Sequence, residues 1–295
     1  MTTELVTASL LAPLTGDFGA TSAAELALIG SACGAVGVWI LFFSRAFLAE
    51  SFGHALLPGL VIAAALGGSL LLGAILGVGL AYVVLSGAER VARTSTSTAT
   101  SVTVTAMVAA GALLATRGTG AGGFESLLFG DPLAADWLNV VFSAAIAVVI
   151  GGVLMLFHER FTALAFDRQA AGALRLGVAQ TNAVLIAVIV FAIAVAASTS
   201  GSLLALALLL GPAIATTAIG RVAHARLSTT IIGSAALGSL VGVGGLYLSY
   251  YANWPASPSV ALISCGMAVV GAATARTTAV TRRSPASGRG SPELA

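Results

Sequence analysis

No lysine occurs among the 295 residues, so all 13 basic side chains are arginines. Without lysine there is no Gly-x-x-x-x-Gly-Lys loop to hold nucleotide phosphates, and ATP hydrolysis by that route is excluded. Charge of either sign is scarce, at 8% of residues, where soluble domains carry about 25%. With 58% apolar residues and a mean hydropathy of +1.03, the composition excludes a soluble globular protein. A net charge of +2 says nothing in favour of a nucleic-acid partner. Cysteine is reduced to Cys33 and Cys265, both inside apolar runs and both read as small residues buried against another helix. No His-Glu-x-x-His pattern occurs, which argues against an intramembrane metalloenzyme. The N-terminus has neither the basic region nor the short apolar core of a cleavable signal, and it is expected to be retained.

What the chain does have is long apolar runs. Segments of about 17–22 residues match a hydrocarbon core about 30 Å thick. Nine are found, at Ala23–Phe43, Ala46–Leu66, Ser69–Ser86, Ala99–Thr116, Leu138–Phe157, Thr181–Ala197, Gly201–Gly220, Thr229–Tyr250 and Pro258–Ala275. The fold class is therefore all-α, a polytopic membrane helix bundle, with eight spans as the alternative. Cytoplasmic loops carry the arginine excess. Nine spans with the N-terminus outside and the C-terminus cytoplasmic put every arginine group inside except Arg117, and put Glu4, Asp17, Glu125, Asp131 and Asp136 outside. Eight spans would strand one arginine group on the outer face. Residues 1–22 then form an extracytoplasmic segment, 23–275 the transmembrane domain, and 276–295, rich in Ser, Pro, Gly and Arg, a disordered cytoplasmic tail.

The second run opens with Ala46-Phe-Leu-Ala-Glu50-Ser-Phe-Gly-His54-Ala-Leu-Leu-Pro58-Gly59. Glu50 and His54 are the ionisable residues of that span, and an intramembrane carboxylate costs roughly 2.5–3.5 kcal/mol on insertion scales. Four residues apart on a helix, the two stand one turn above each other and aim at one point, which is half of a divalent-cation site. The rise from Ala46 places His54 about 12 Å into the membrane, near the midplane. The bland reading, in which the pair only bond each other and hold helices together, is the weaker one given the cost of burial. Pro58 and Pro212 are expected to kink their helices, and Pro58 also loosens the turn that holds the His54 carbonyl.

Small-residue pairs recur at Gly30/Gly34, Gly73/Gly77 and Gly238/Gly242, and they are read as close helix contacts. Phe166 to Gly177 reads as a short amphipathic cytoplasmic helix, suited to the membrane surface or to a groove on a soluble partner, with composition favouring the surface. The outer loop Thr119–Trp137, with Glu125 and Asp131, is a candidate outer gate or docking site. His158 and His224 read as solvated loop residues beside arginines. Tyr247, Tyr250, Tyr251 and Trp254 read as an interfacial aromatic belt.

Taken together, these residues resemble the permease subunits of ABC importers for manganese, zinc and iron. Glu50 to Gly59 is similar to the family's aspartate followed four residues later by the histidine of Ser-His-Ala-Val-Leu-Pro-Gly. Leu127–Ala134, Phe166–Gly177, Gly201–Ala215 and Gly245–Tyr251 resemble further family segments in the same order, so the resemblance covers about Ala23 to Ala275. It departs from the pattern at Glu50, where the family has Asp, at Gly53, where it has Ser, and at Arg93–Thr98, which lacks the family's carboxylates. The resemblance implies that Glu50 and His54 bind the transported metal, Mn²⁺ or Zn²⁺, with no permanently bound cofactor. It also implies that the stretch near 162–178, with Asp167, Ala171, Gly172, Leu176 and Gly177, is a coupling helix docking on the ATPase, and so overrides the membrane-surface reading.

The expected function is the membrane subunit of an ATP-driven importer of manganese or zinc, possible iron included, in a prokaryotic cell membrane and working by alternating access. It is not itself an enzyme, since ATP sits on a partner chain. The implied partners are cytoplasmic ABC ATPase subunits, an extracytoplasmic metal-binding protein, a second permease chain in a homodimer and the lipid bilayer. Both ligands must be deprotonated to bind, so uptake is expected to weaken as pH falls through the histidine range. The alternatives are an ion-coupled secondary metal carrier, which inverted repeats would favour, and a permease for a metal chelate such as a siderophore or cobalamin.

Overall fold

The computed structural model describes residues 17–92, 95–118, 127–167, 169, 171 and 177–283, which form helices joined by short turns, with no strand among them. In chain order the helices are α1 (Asp17–Phe42), α2 (Ala46–Ala55), α3 (Leu57–Ala65), α4 (Leu70–Ala92), α5 (Thr96–Gly118), α6 (Trp137–Leu156), α7 (His158–Phe166), α8 (Val178–Ser200), α9 (Ser202–Ala223), α10 (Leu227–Ala252) and α11 (Ala256–Arg283). Among the described residues nine spans are long and apolar enough to cross a membrane, with α2 and α3 counted as one and α7 too short. The expected count of nine therefore holds, with shifted boundaries. α1 begins at Asp17 rather than Ala23, and α11 continues to Arg283, so part of the expected tail is helical.

Turn chemistry separates the helices. Asp136 accepts the Trp137 N–H at 2.7 Å and caps α6. Gly177, at φ +61°, precedes α8, and Gly201, at φ +84°, joins α8 to α9. His224 and Asn253 end α9 and α10 in the left-handed conformation, which stops each helix with a sharp turn.

Lipid tails give no hydrophobic drive between helices, so packing rests on close backbone approach. α1 lies antiparallel to α10 along a glycine seam: a Cβ on Gly30 would sit 2.3 Å from the Gly238 carbonyl oxygen. Ser234 Oγ donates to the Gly34 carbonyl at 2.7 Å, and Ser239 Oγ to that of Ala27 at 2.8 Å. α3 and α4 meet in the same way, with a Cβ on Gly59 falling 2.0 Å from the Gly73 carbonyl oxygen. All three expected glycine pairs are thus places where backbones touch.

α1, α9, α10 and α11 pack on one another, and α3, α4 and α5 form a second group. α8 and α2 join the two, and α6 lies against α1. Leu26, Leu185, Ile189, Ile193, Leu204 and Leu208 fill the junction. At one end Trp39 meets Phe161 edge-on, with ring centroids 5.3 Å apart. Of the cysteines, Cys33 is buried as expected, whereas Cys265 is exposed on α11. The correction follows from position, because α11 packs with one face only and Cys265 lies on the other.

Candidate metal site

α2 starts at Arg45, whose Nη2 donates to Asn182 Oδ1 of α8 at 2.5 Å and fixes where the helix begins. Ala49, Ser51, Phe52, Gly53 and Ala55 are buried. Ser51 Oγ donates to the Phe47 carbonyl at 2.6 Å, which lets a hydroxyl lie within the packed face. A Cβ at Gly53 would lie 2.8 Å from Cγ, Cδ1 and Cδ2 of Leu206 on α9, so any larger residue there has to displace that side chain.

Glu50 and His54 lie on the other face of α2, one turn apart, Glu50 exposed and His54 half-buried. At 1.5 Å per residue they stand about 6 and 12 Å above the start of the helix. Among the described residues neither side chain makes a hydrogen bond or ion pair, to the other or to anything else. Immediately past His54 the helix breaks at Leu56, and α3 restarts with Pro58 at its second position. The Leu56 N–H still reaches the Phe52 carbonyl at 3.3 Å and the Leu60 N–H the Leu56 carbonyl at 3.1 Å, so the span runs on through the turn as one membrane helix. On the Arg45 side of Glu50, a cavity of about 590 Å³ is lined by Ser44, Arg45, Phe47, Tyr82, Ser97 and Thr100, among others. No group of three or more His, Cys, Asp or Glu gathers among the described residues. Glu50 and His54 are thus the two candidate ligands that one chain brings to this face.

The other expected residues are dispersed. Asp131 is exposed and accepts the Leu133 N–H at 3.1 Å, forming the start of a single 3₁₀ turn over Pro132–Ala134. Glu125 lies outside the described residues. Asp167 Oδ1 accepts the Gln169 N–H at 2.8 Å, Ala171 is buried, and the Gly177 carbonyl accepts the Thr181 N–H at 2.9 Å. Gly172 and Leu176 lie outside the described residues. Pro212 sits within α9, which continues through it. Two family-like segments come together in space: Gly130, at φ +65°, would with a Cβ fall 2.3 Å from the Ser200 carbonyl carbon, beside Gly201.

His158 departs from expectation. Rather than lying solvated in a loop, it opens α7 half-buried, edge-on to Trp39 at 5.6 Å between centroids. The chain resumes helix after Phe157 because Phe161 and Leu164 recur at helical spacing and bury against the bundle. His224, by contrast, is exposed.

Sequence reading passed over Glu25. It is 3% exposed within α1, bonded to Ser143 of α6, with Oε1 lacking a partner among the described residues. The signal was available, since a carboxylate three residues into an apolar run is as costly as Glu50. It was masked by lying near the end of the run.

A bundle with nine membrane-length spans among the described residues, one of them carrying a carboxylate and an imidazole one turn apart, has the build of a polytopic membrane transport subunit. Residues 18–275 match the ABC 3 transport family, and the chain belongs to that family of metal permeases. Among its relatives is the manganese import system permease protein ScaB of Streptococcus gordonii, 27% identical over 237 residues, which span 80% of this chain and 84% of ScaB. Another is the zinc transport system membrane protein TroC of Treponema pallidum, 27% identical over 253 residues, or 82% of this chain and 84% of TroC. The fold is shared with PsaBC from Streptococcus pneumoniae, solved in complex with a Fab, at a TM-score of 0.83 and 22% identity, covering 95% of this chain and all of that one. The chain is thus a multi-pass membrane permease.

Proposed function

We propose that this permease imports a divalent transition metal, manganese or zinc, through a site on Glu50 and His54, driven by ATP hydrolysed on separate cytoplasmic subunits. The observation that carries the reading is the pair itself: a carboxylate and an imidazole without side-chain partners among the described residues, one turn apart on a membrane helix, with a turn at Leu56 just beyond them. A permeating ion needs a site that accepts it and lets it go. One carboxylate and one imidazole suit manganese and zinc, whereas a full thiolate cage would hold zinc too tightly.

The remaining parts of the reading concern assembly. The chain is oriented with its C-terminus in the cytoplasm and pairs with a second copy, and an extracytoplasmic metal-binding protein delivers the ion. The segment from Asp167 to Gly177 meets the ATPase. Membrane vesicles carrying this chain with its ATPase test the core of the proposal through uptake of radioactive manganese and zinc. The expected result is ATP-dependent uptake that His54→Ala and Glu50→Ala abolish while folded protein persists. Uptake driven by a proton gradient without ATP, or normal transport by both variants, would overturn it.

A further inference from the structure

Where α6 passes into α7, a groove of about 460 Å³ opens between that corner and the start of α10. Ala35 and Trp39 of α1 floor it, residues between 151 and 158 form one wall, and residues between 228 and 235 form the other. Seven residues of helix at 1.5 Å each make the walls about 10 Å deep.

The lining is graded along that depth. Gly151, Leu154, Met155 and Ile232 are apolar, whereas His158 and Ser228 lie at the end where α1 stops and α10 begins. Just past that end stand Arg160 and Arg226, both exposed and without an ion-pair partner among the described residues. The guanidinium of Arg160 rides on the Phe157 ring, 5.5 Å from its centre. Glu159 is the one carboxylate within two residues of the lining, so the mouth carries more positive charge than negative.

The groove faces the bilayer, since Met155 and Ile232 on its walls are exposed within membrane spans. Apolar cavities do not hold water, and a void forfeits the contacts of every atom that lines it. An acyl chain is therefore the filler at hand, and two unpaired arginines at the mouth select its headgroup. We infer that the groove binds an anionic phospholipid of the cytoplasmic leaflet, one acyl chain lying between α6 and α10 and the headgroup phosphate meeting Arg160 and Arg226. Such a lipid bridges the start of α7 to α10. Its leaflet follows from the orientation proposed above, but the groove and its charges depend neither on that orientation nor on the ion carried.

Trp39 supplies the readout, because brominated acyl chains quench a tryptophan they approach. Trp137 and Trp254 lie at the opposite ends of α6 and α10, so Trp137→Phe with Trp254→Phe leaves Trp39 as the sole reporter. The purified full chain with these two changes, in neutral detergent, is titrated with dibrominated phosphatidylglycerol or dibrominated phosphatidylcholine. Phosphatidylglycerol is expected to reach half-quenching at about a tenfold lower mole fraction. Arg160→Gln with Arg226→Gln should erase that preference. A Cβ on Gly151 or on Gly152 would meet nothing within 4 Å, yet only Gly151 lines the groove. Gly151→Leu should therefore fill it and raise the half-quenching fraction about tenfold or more, while Gly152→Leu stays within about twofold of the parent. Both changes favour helix, so both variants are expected to fold. Equal quenching by the two lipids, a preference that survives loss of both arginines, or equal effects of the two leucines would overturn the proposal. So would dissociation of a dimer by Gly151→Leu without any lipid preference in the parent, which would give the groove to a second chain.

Discussion

At Gly53 the absence of a side chain lets α2 lie against α9. Its Cα faces the isobutyl group of Leu206 so closely that any Cβ would overlap three of its carbons. Gly53→Ser should therefore push α2 from α9 and lower stability by about 1–3 kcal/mol. Leu206→Ala in the same chain is expected to recover most of that loss, because the obstruction is then gone. Thermal unfolding in detergent of the two single variants and the double variant measures the coupling, and additive losses would show that the contact is not the cause. Glu50 and His54 were legible as residues from their type, spacing and span. Glu25 carried the same signal of a carboxylate in an apolar run, but its partner Ser143 comes from α6, more than a hundred residues away, and no local pattern names it.

Helices here hold together by backbone contact, and that makes particular glycines irreplaceable. Gly59 belongs to the motif that carries His54, yet its own place is against Gly73 of α4. Gly59→Ala is expected to separate α3 from α4, lowering the unfolding midpoint by about 1–3 kcal/mol in equivalent stability while leaving the ligand residues intact. Gly79→Ala, on the same α4 but with nothing within 4 Å of its would-be Cβ, should be neutral or slightly stabilising in the same assay. The glycine spacings announced close contacts in the sequence without saying which helix would be met. Antiparallel pairing of α1 with α10 joins residues about 200 apart, and no local pattern encodes such a partner.

Orientation is a property of the whole molecule. Arginine distribution sets it through the charge asymmetry of the two membrane faces. In right-side-out vesicles, a membrane-impermeant maleimide is expected to label Asp131→Cys and to spare Arg226→Cys until the membrane is permeabilised. The reverse pattern would invert the proposed topology. Exposed Cys265 lies within the membrane span of α11, so the aqueous reagent should leave it unmodified in the parent chain.

The sequence by itself determined the number of spans and the class of protein, because both follow from composition and run length, and its ordered segments carried the family. Bilayer thickness converts an apolar run directly into a span, and a four-residue interval converts directly into a shared face. Tertiary structure alone decided what lies across from those faces: Leu206 against Gly53, Gly73 against Gly59, and Ser143 against Glu25. It also decided that His158 packs on Trp39 and that Cys265 faces outward. In lipid, side-chain hydrophobicity does not select one helix neighbour over another, so partners are chosen by shape and hydrogen bonds along whole helix faces, which become readable only when the faces are assembled.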